Sequence, residues 1–251
     1  MHGRSPPPTV RATVVHAGQR DRHHREELVM RVLVVGATGG SGRAAVDALV
    51  GGGHEVTAFA RRASAAFAER AGVRPVDGDA TVAADVARAV RGKDAVVVTL
   101  GIRENTLKVR VLGSSGTPMD VRSRGTAVVA AAMREHGMRR LVVQSSYGVG
   151  PTRELLPLSS RVVFALMIRQ QIQDSERQES VVRASGLDWT IVQPVYLTDG
   201  EEAAARSTTG EVRAMKVSRR AVGAVLAELA TSTADTGTTV TLSGAPALAP
   251  A

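Results

Sequence analysis

A glycine-rich run near residue 36 constrains the fold more than any other feature of the sequence. Residues 30–42 read M-R-V-L-V-V-G-A-T-G-G-S-G, so a short apolar run ends in a turn that carries three spaced glycines. A segment of helical composition follows at residues 43–50. A strand, a glycine loop and a helix in this order predict a nucleotide-phosphate site, because the start of a helix offers unpaired N–H groups and a positive dipole end.

Each glycine has a separate expected role. Gly36 allows the chain to turn sharply out of the strand, Gly39 lets the backbone approach a pyrophosphate, and Gly42 lets the helix lie against the strand. The hydroxyl groups of Thr38 and Ser41 are expected to donate hydrogen bonds to the same phosphates. A glycine-rich turn that binds no ligand is the alternative at this point.

Strand-like and helix-like segments alternate from residue 30 onwards. The pattern predicts strands at 32–35, 55–59, 73–76, 95–100, 140–144, 189–193, 212–217 and 238–242. It predicts helices at 43–50, 63–71, 82–91, 119–136, 159–185 and 219–230, and loops of little regular pattern at 102–117, 145–158 and 195–209. Repeated βα units predict an α/β fold, in which helices cover both faces of a parallel sheet.

The two ends of the chain differ from this pattern. Residues 1–29 contain three consecutive prolines and four of the six histidines, with little periodicity. We expect a disordered N-terminal extension at 1–29, with Met30 as an alternative first residue, then a single domain at 30–243 and a tail at 244–251.

Composition narrows the chemistry and the partners. Without cysteine there is no disulfide, thiolate or Cys-based metal site, and we expect no metal and a cytoplasmic location. The net charge of +8 comes from 29 Arg and 3 Lys that are scattered along the chain. A solvated basic surface is therefore favoured over a nucleic-acid interface. The apolar run at 162–168 is far shorter than the roughly 20 residues of a membrane span.

The residues after the second predicted strand indicate which cofactor is bound. In NAD-binding domains an acidic residue at this place accepts hydrogen bonds from the ribose 2′-hydroxyl group. Here the sequence has Arg61 and Arg62, whose guanidinium groups suit a 2′-phosphate. This favours NADPH over NADH, and two ordinary surface arginines are the alternative.

Further cofactor contacts are expected at the ends of the third and fourth strands. Asp79 and Ala80 are placed near the adenine edge, and Leu100 and Gly101 under the adenine side of the cofactor. A helix N-cap role for Asp79 and a plain turn at Gly101 are equally favoured alternatives.

Four motifs resemble those of the atypical short-chain dehydrogenase/reductase proteins with an NAD(P)H-binding domain, which include NmrA-like proteins and the biliverdin reductase B/flavin reductase type. G-A-T-G-G-S-G at 36–42 is similar to their G-x-x-G-x-x-G loop, and R-R-A-S at 61–64 to their segment after strand two. L-V-V-Q-S-S-Y-G-V-G at 141–150 and S-G-L-D-W-T-I-V-Q-P-V-Y-L-T-D-G at 185–200 resemble their strand-five and strand-six regions. From residue 30 to about 242, the resemblance implies a Rossmann-like doubly wound sheet, NADPH across its carboxyl edge, and substrate loops in the C-terminal third.

The resemblance also implies where the nicotinamide lies. Pro194 and Val195 match positions that face this ring, and Ser145, Ser146 and Tyr147 fall at the end of strand five. We take Ser145 as a cofactor contact, and Ser146 and Tyr147 as the candidate catalytic residues. With an ordinary pKa of about 10, the phenol of Tyr147 would donate a proton rather than accept one. A loop aromatic that caps the strand is an equal alternative.

The Tyr-x-x-x-Lys pair of the wider superfamily is missing. Its extended members commonly have a Glu four residues after the Lys, and aligning Glu179 with that Glu places Ser175 at the Lys position and Gln171 at the Tyr position. Gln has no titrating proton near neutral pH, and Ser supplies no fixed positive charge. His54 and His136 lie beside glycines in predicted turns, so we interpret both as structural.

These observations predict an oxidoreductase that transfers hydride from NADPH to a conjugated acceptor such as a flavin, a quinone or an extended tetrapyrrole. Such an acceptor delocalises the arriving electron pair and takes its proton from solvent, so the protein mainly orients the reactants. An NmrA-like redox sensor that binds NADP(H) without turnover is the main alternative, and an isomerase or reductase of a polycyclic substrate is another. We expect a monomer or homodimer with a small-molecule substrate and neither a nucleic-acid nor a membrane partner.

Overall fold

The computed structural model describes residues 29–101, 118–156 and 169–245. The predicted N-terminal extension, the loop at 102–117, the first part of the helix predicted at 159–185 and most of the C-terminal tail lie outside these ranges. The strands are β1 (Arg31–Val35), β2 (Glu55–Ala60), β3 (Val73–Asp77), β4 (Ala95–Val98), β5 (Arg140–Gln144), β6 (Asp188–Pro194), β7 (Tyr196–Thr198), β8 (Ala203–Ser207), β9 (Lys216–Ser218) and β10 (Thr238–Ala245). The helices are α1 (Gly40–Gly51), α2 (Ala63–Phe67), α3 (Ala83–Val90), α4 (Val121–Glu135), α5 (Arg169–Arg183) and α6 (Arg219–Ala230), with a 3₁₀ helix at Gly150–Arg153.

The main sheet has eight strands in the order β3-β2-β1-β4-β5-β6-β10-β8. All neighbours are parallel except β8, which runs antiparallel to β10. The order of the first six strands reverses between β1 and β4, as in the doubly wound dinucleotide-binding sheets. The prediction of a Rossmann-like α/β fold is therefore confirmed.

Continuous apolar runs make the central strands, because helices cover both faces of the sheet. The side chains at 32–35 in β1 and at 95–98 in β4 are fully buried. On one face Val34 packs with Leu49 of α1 and Leu226 of α6. On the other face Leu33 packs in a cluster with Met133 of α4. The core thus consists mainly of Val, Leu and Ala, as the low aromatic content requires.

Close contact between α1 and α6 holds the glycine loop against the sheet. A Cβ atom on Gly223 of α6 would lie 2.4 Å from the carbonyl carbon of Ala44 in α1. Since real side chains do not tolerate this separation, glycine at 223 lets the two helix backbones touch. This contact fixes the direction in which α1 leaves the loop.

The C-terminal third differs from the prediction. The segment at 195–209, predicted as a loop, contains β7 and β8, and the strand predicted at 212–217 begins only at Lys216. Strand β7 pairs with β9 in a separate two-stranded sheet, while β8 pairs with β10 more than thirty residues away. Because β8 is the short run A-A-A-R-S, its strand character comes from these distant partners and is not visible in its own side chains.

Other boundaries differ by a few residues. Strand β4 ends at Val98 rather than at 100, because the Thr99 hydroxyl group donates to the carbonyl oxygens of Val35 and Gly36 and the chain then leaves the sheet. Helix α2 ends at Phe67 rather than at 71, in a turn that leads to Gly72 with φ +76°. In the described part of the chain, no helix has both the length and the apolar character needed to cross a bilayer.

Candidate functional site

A cleft of about 850 Å³ opens at the carboxyl ends of β1 to β4, where the strand order reverses. Parallel α/β sheets bind their ligands at this kind of switch point. Nine of the sequence-predicted cofactor residues line it: Gly36, Thr38, Gly39, Arg61, Arg62, Asp79, Ala80, Leu100 and Gly101. The other nine lining residues are Arg43, Phe59, Ala60, Ala65, Ala66, Gly78, Thr99, Pro118 and Val121, which were not predicted.

The glycine loop has the geometry of a tight strand-to-helix turn. Gly36 has φ +84°, which favours glycine, and the Gly39 N–H donates to the Gly36 carbonyl oxygen at 3.0 Å. A Cβ atom on Gly42 would lie 2.4 Å from the Gly36 carbonyl oxygen and 2.8 Å from the Thr99 hydroxyl oxygen. Gly42 therefore allows α1 to start directly against the end of β1.

The first turn of α1 presents backbone donors. The first bond along this helix runs from the Arg43 N–H to the Gly39 carbonyl oxygen at 2.8 Å. Within the described ranges, no acceptor is found for the N–H groups of Gly40, Ser41 and Gly42. The turn contains no acidic residue, so donors and helix dipole together suit an anion. The side chain of Ser41 is buried and does not line the cleft.

Three guanidinium groups stand around the same cleft. Arg61 and Arg62 directly follow β2 and are exposed. Arg43 joins them from α1, with its guanidinium carbon 5.3 Å from the Phe67 ring centre and its Nε donating to the Thr38 carbonyl oxygen at 3.3 Å. Sequence reasoning missed Arg43, although its place immediately after the third glycine of the loop was a usable signal.

Asp79 lies in the wall of the cleft and also orders its own loop. Its carboxylate accepts hydrogen bonds from the Thr81 N–H at 2.8 Å and the Thr81 hydroxyl group at 2.7 Å. These bonds lower the pKa of Asp79 below its ordinary value, and the charge of Arg61 lowers it further. The alternative role as a helix N-cap is not observed, because Val82 occupies that position of α3.

Two glycines outside the loop shape the adenine side of the cleft. A Cβ atom on Gly125 of α4 would lie 2.5 Å from Cδ1 of Leu100 and 3.3 Å from Cβ of Ala80. One on Gly78 would lie 2.6 Å from Cε2 of Phe59. Leu100, Ala80 and Phe59 all line the cleft, so both glycines set the position of its wall. Nothing local in the sequence distinguishes them from ordinary turn or helix glycines.

The residues predicted to surround the nicotinamide lie together at the ends of β5 and β6, outside the lining of the cleft. The Tyr147 N–H donates to the Pro194 carbonyl oxygen at 3.0 Å, which joins the two strand ends. The phenol of Tyr147 donates to the Gly210 carbonyl oxygen at 3.2 Å, and burial raises its pKa. The partly exposed Ser146 has no hydrogen-bonding partner for its hydroxyl group in the described ranges. Val195 is buried beside them.

A buried polar network lies behind these strand ends. Glu179 of α5 is 1% exposed, and it accepts hydrogen bonds from the Ser145 hydroxyl group at 2.6 Å and from Nε2 of Gln193 at 2.7 Å. Its other carboxylate oxygen pairs with Arg183 at 2.8 Å. Gln193 also accepts a hydrogen bond from the Thr152 hydroxyl group at 2.9 Å. We refer to these five residues as the Glu179 network.

Helix α5 also carries the positions of the missing catalytic pair. Ser175, at the Lys position, is 2% exposed, and Gln171, at the Tyr position, is partly exposed. On the same helix the carboxylate of Asp174 accepts the backbone N–H groups of Arg122 at 3.0 Å and Ser123 at 3.1 Å. Asp174 thus caps the start of α4 from a neighbouring helix, a role that no local sequence signal could have shown.

Known proteins share this architecture. The anaerobillin reductase ChuY from Escherichia coli O157:H7 is 26% identical with a TM-score of 0.68, over 88% of this chain and 100% of that one. A wide-type short-chain dehydrogenase/reductase from Veillonella parvula, solved in complex with NADP, is 17% identical with a TM-score of 0.68, over 87% of this chain and 95% of that one. An uncharacterised chloroplastic protein of Arabidopsis thaliana is 28% identical over 169 residues, which make up 65% of this chain and 58% of that protein. The matched part thus spans less than two thirds of this curated relative.

A protein-family model described as NAD(P)H-binding matches residues 36–233. The match begins at the first glycine of the loop and runs past the end of α6, so it includes the whole cleft. The resemblance inferred from the four sequence motifs is therefore confirmed, and the structural neighbours include reductases. The chain belongs to this NAD(P)H-binding, oxidoreductase-like family.

Proposed function

We propose that this protein is an NADPH-dependent reductase that passes hydride to a conjugated acceptor such as a flavin or a quinone. The observation that carries the proposal is the presence of Arg43, Arg61 and Arg62 around one cleft beside the glycine loop. A 2′-phosphate distinguishes NADPH from NADH, and guanidinium groups are its preferred ligands. Residues 60–62 offer no carboxylate to a 2′-hydroxyl group.

In this proposal the cofactor would extend along the carboxyl edge of the sheet, from the cleft to the ends of β5 and β6. The first-turn N–H groups of α1 suit the pyrophosphate, since glycine at 36 and 42 lets the helix start directly against the end of β1. Arg61 and Arg62 would hold the 2′-phosphate. The adenosine would lie along Asp79, Ala80, Leu100 and Gly101, and the nicotinamide near Ser145, Pro194 and Val195. When bound, the reduced nicotinamide supplies the hydride.

The strand ends near the expected nicotinamide favour an acceptor that needs little acid catalysis. Ser145 donates to Glu179, and Tyr147 donates to a backbone carbonyl group with its pKa raised by burial, so neither is a ready proton donor. Ser146 is the remaining predicted catalytic residue, and its hydroxyl group could only relay a proton. A flavin or quinone accepts hydride first and takes its proton from water, while the protein supplies orientation.

The same bonds favour a second candidate function, an NmrA-like redox sensor that binds NADPH without turning it over. In such a protein the strand ends would have only a structural role, as the internal bonds of Ser145 and Tyr147 allow. Turnover separates the two candidates, because both predict tight NADPH binding.

The experiment on cofactor preference measures NADPH and NADH affinity for the wild type and for the Arg61→Ala/Arg62→Ala double variant. We expect NADPH to bind about tenfold to a hundredfold more weakly, since hydrogen bonds to a charged group contribute about 1.5–3 kcal/mol each. NADH affinity should change by less than about threefold. An unchanged preference for NADPH would show that the phosphate assignment is wrong.

A matched control removes two other arginines. Arg91 and Arg177 are exposed and lie outside the cleft, and the Arg91→Ala/Arg177→Ala variant changes the net charge by the same amount. Its NADPH affinity should stay within about twofold of the wild type, apart from a screened long-range term. An acceptor screen with riboflavin, FMN, menadione and an enone then tests turnover. NADPH binding without oxidation by any acceptor would favour the sensor.

A further inference from the structure

We propose that Arg122 is a ligand-binding residue, which takes a carboxylate or phosphate oxyanion of a molecule bound in or beside the cleft. The inference rests on the proposed function, because it assumes that the cofactor and the acceptor meet in the cleft. It adds a fourth guanidinium group, which lies next to Gly101 after β4, whereas Arg61 and Arg62 follow β2. It also specifies the chemistry of the ligand, which must carry an anionic group at this point.

The position of Arg122 places its charge at the rim of the cleft. It is the second residue of α4, and the preceding Val121 lines the cleft. A Cβ atom on Gly101 would lie 3.3 Å from Nη2 and 3.8 Å from Nη1 of Arg122. Because Gly101 also lines the cleft, the guanidinium group lies against the rim where the chain leaves β4. Because Gly101 has no side chain, the guanidinium group of Arg122 has room to lie there.

The Arg122 guanidinium group has no protein partner in the part of the chain that the structure describes. The nearest candidate, Asp174, uses its carboxylate to cap the backbone N–H groups of Arg122 and Ser123 and to accept the Ser123 hydroxyl group. No hydrogen bond or ion pair joins it to the guanidinium group itself. Desolvation lowers the pKa of Arg122 and the charge of Asp174 opposes that shift, but both carboxylate oxygens of Asp174 already accept hydrogen bonds from other donors.

Arg140 is a buried arginine whose guanidinium group bonds to acceptors of the protein itself. Its guanidinium group donates to the carbonyl oxygens of Leu229 at 2.6 and 2.9 Å, Asp188 at 3.1 Å and Ala234 at 3.3 Å. Desolvation lowers the pKa of both Arg140 and Arg122, but Arg140 is 8% exposed whereas Arg122 is only partly buried. The guanidinium group of Arg140 bonds to carbonyl oxygens of the protein, whereas that of Arg122 has no protein acceptor in the described ranges.

Nine described ion pairs join an arginine to a carboxylate, and Arg122 takes part in none of them. Their arginines are Arg31, Arg70, Arg88, Arg139, Arg153, Arg183, Arg206, Arg219 and Arg220. The guanidinium group of arginine is always charged, and at Arg122 no protein acceptor in the described ranges takes its donors. An oxyanion supplied from outside the protein would take them, which points to binding rather than to folding as the role of Arg122.

The planar fork of guanidinium donors matches the two oxygens of a carboxylate or of a phosphate. Two molecules could bring that oxyanion to the rim. One is the dinucleotide, through a phosphate oxygen, and the other is the acceptor, through an acidic substituent. The chemistry at Arg122 is the same in both cases, so the test is designed to separate the sources.

The test measures affinity and does not depend on turnover. Wild type, Arg122→Gln and the control Arg177→Gln are titrated with NADPH, and then with FMN and with riboflavin in the presence of NADP. FMN and riboflavin share one ring system and differ by one phosphate. Arg177 is an exposed residue of α5 with no hydrogen bond or ion pair in the described ranges, so its variant makes the same charge change without touching the cleft.

We expect Arg122→Gln to weaken one anionic ligand by about tenfold or more and to leave riboflavin unchanged. Weaker FMN binding assigns the oxyanion to the acceptor, and weaker NADPH binding assigns it to the cofactor. The melting temperature of the ligand-free variant should stay the same or rise, because the guanidinium group makes no hydrogen bond or ion pair in the described ranges that the variant would lose. A purely structural arginine would instead lower it. Arg122→Lys keeps the charge without the fork and should bind with intermediate affinity.

The proposal is overturned if NADPH and FMN affinities both stay within twofold of the wild type in Arg122→Gln and Arg122→Lys. It is also overturned if Arg177→Gln weakens the same ligand as much. Failure of every acceptor to oxidise NADPH would contradict the proposed reductase function only, since these binding measurements would still decide the role of Arg122.

Discussion

The carboxyl edge of the sheet has two halves that are built differently. At the ends of β5 and β6, the Glu179 network joins polar groups to one another, and its carboxylate receives donors from Ser145, Gln193 and Arg183. At the ends of β1 to β4, the first-turn N–H groups of α1 have no acceptor in the described ranges, and arginines surround an open cleft. The Glu179 network bonds its polar groups to one another, whereas the other half provides binding groups that a ligand would complete.

This difference predicts how each half responds to substitution. A change in the Glu179 network should cost stability with little effect on cofactor affinity, because the network is buried behind the strand ends. A change at the glycine loop should reduce cofactor affinity as well as stability, because the loop both packs and binds.

The largest effect on stability is expected from Glu179→Ala. The substitution leaves the Ser145 hydroxyl group, Nε2 of Gln193 and the guanidinium group of Arg183 without their shared acceptor. It also opens a small cavity at a site that is 1% exposed. We expect the free energy of unfolding to fall by about 2–5 kcal/mol, because two buried hydrogen-bond donors lose their acceptor at about 1–3 kcal/mol each. Urea denaturation measures this loss, and NADPH affinity should change by less than about threefold.

Glu176→Ala is the control for that substitution. Glu176 lies on the same helix and pairs with Arg153 at 3.5 Å, but its side chain is 37% exposed. Its loss should cost less than about 1 kcal/mol, the usual range for a surface ion pair. If the two variants had equal stability, or if Glu179→Ala abolished NADPH binding, the two halves of the edge would not be separable.

A smaller loss of stability but a larger loss of binding is expected from Gly42→Ala. The new Cβ atom would lie 2.4 Å from the Gly36 carbonyl oxygen and 3.0 Å from Cα of Ala37, both of which are backbone atoms. We expect about 1–3 kcal/mol of destabilisation from overpacking, and NADPH affinity at least about tenfold weaker. Chemical denaturation and NADPH titration measure the two effects on the same protein.

Gly51→Ala tests whether the effect depends on the loop rather than on α1. Gly51 is the last residue of this helix, and its added Cβ atom would meet no atom within 4 Å. Alanine should stabilise the helix by up to about 1 kcal/mol and leave NADPH affinity unchanged. Equal losses of affinity in the two glycine variants would contradict a specific role for position 42.

The half at the ends of β1 to β4 was the more predictable from sequence, since its motifs are formed by residues close together in the chain. The loop glycines follow a strand directly, and the arginine pair follows the next strand, so residue order alone brought them to one edge. The parallel strands were visible as apolar runs for the same reason, and the bounds of β5 and α6 match the prediction.

The half at the ends of β5 and β6 was less predictable from sequence, because its hydrogen bonds join residues far apart in the chain. Glu179 meets Ser145 across 34 residues, and Asp174 caps α4 from 52 residues away. Strand β8 depends on β10 in the same way, so its three alanines were interpreted as loop. The rim residue Arg122 was also missed, because its environment is defined by Gly101 and Asp174 and not by its neighbours in sequence.

The smallest effect is expected at Asp79, where the wall of the cleft also makes internal bonds. Hydrogen bonds from Thr81 hold the pKa of Asp79 below its ordinary value of 3.8, so its charged form stabilises the folded state. That contribution is fully present above pH 3.8 and is lost as pH falls through the lower folded-state pKa. Asp79→Asn should reduce stability by at most about 1 kcal/mol at pH 7, because solvent screens this partly exposed carboxylate. Urea midpoints measured from pH 7 to pH 3 should show the two proteins converging below pH 3.8. A difference that stays constant over this range would mean that the lost interaction does not depend on the charge of Asp79.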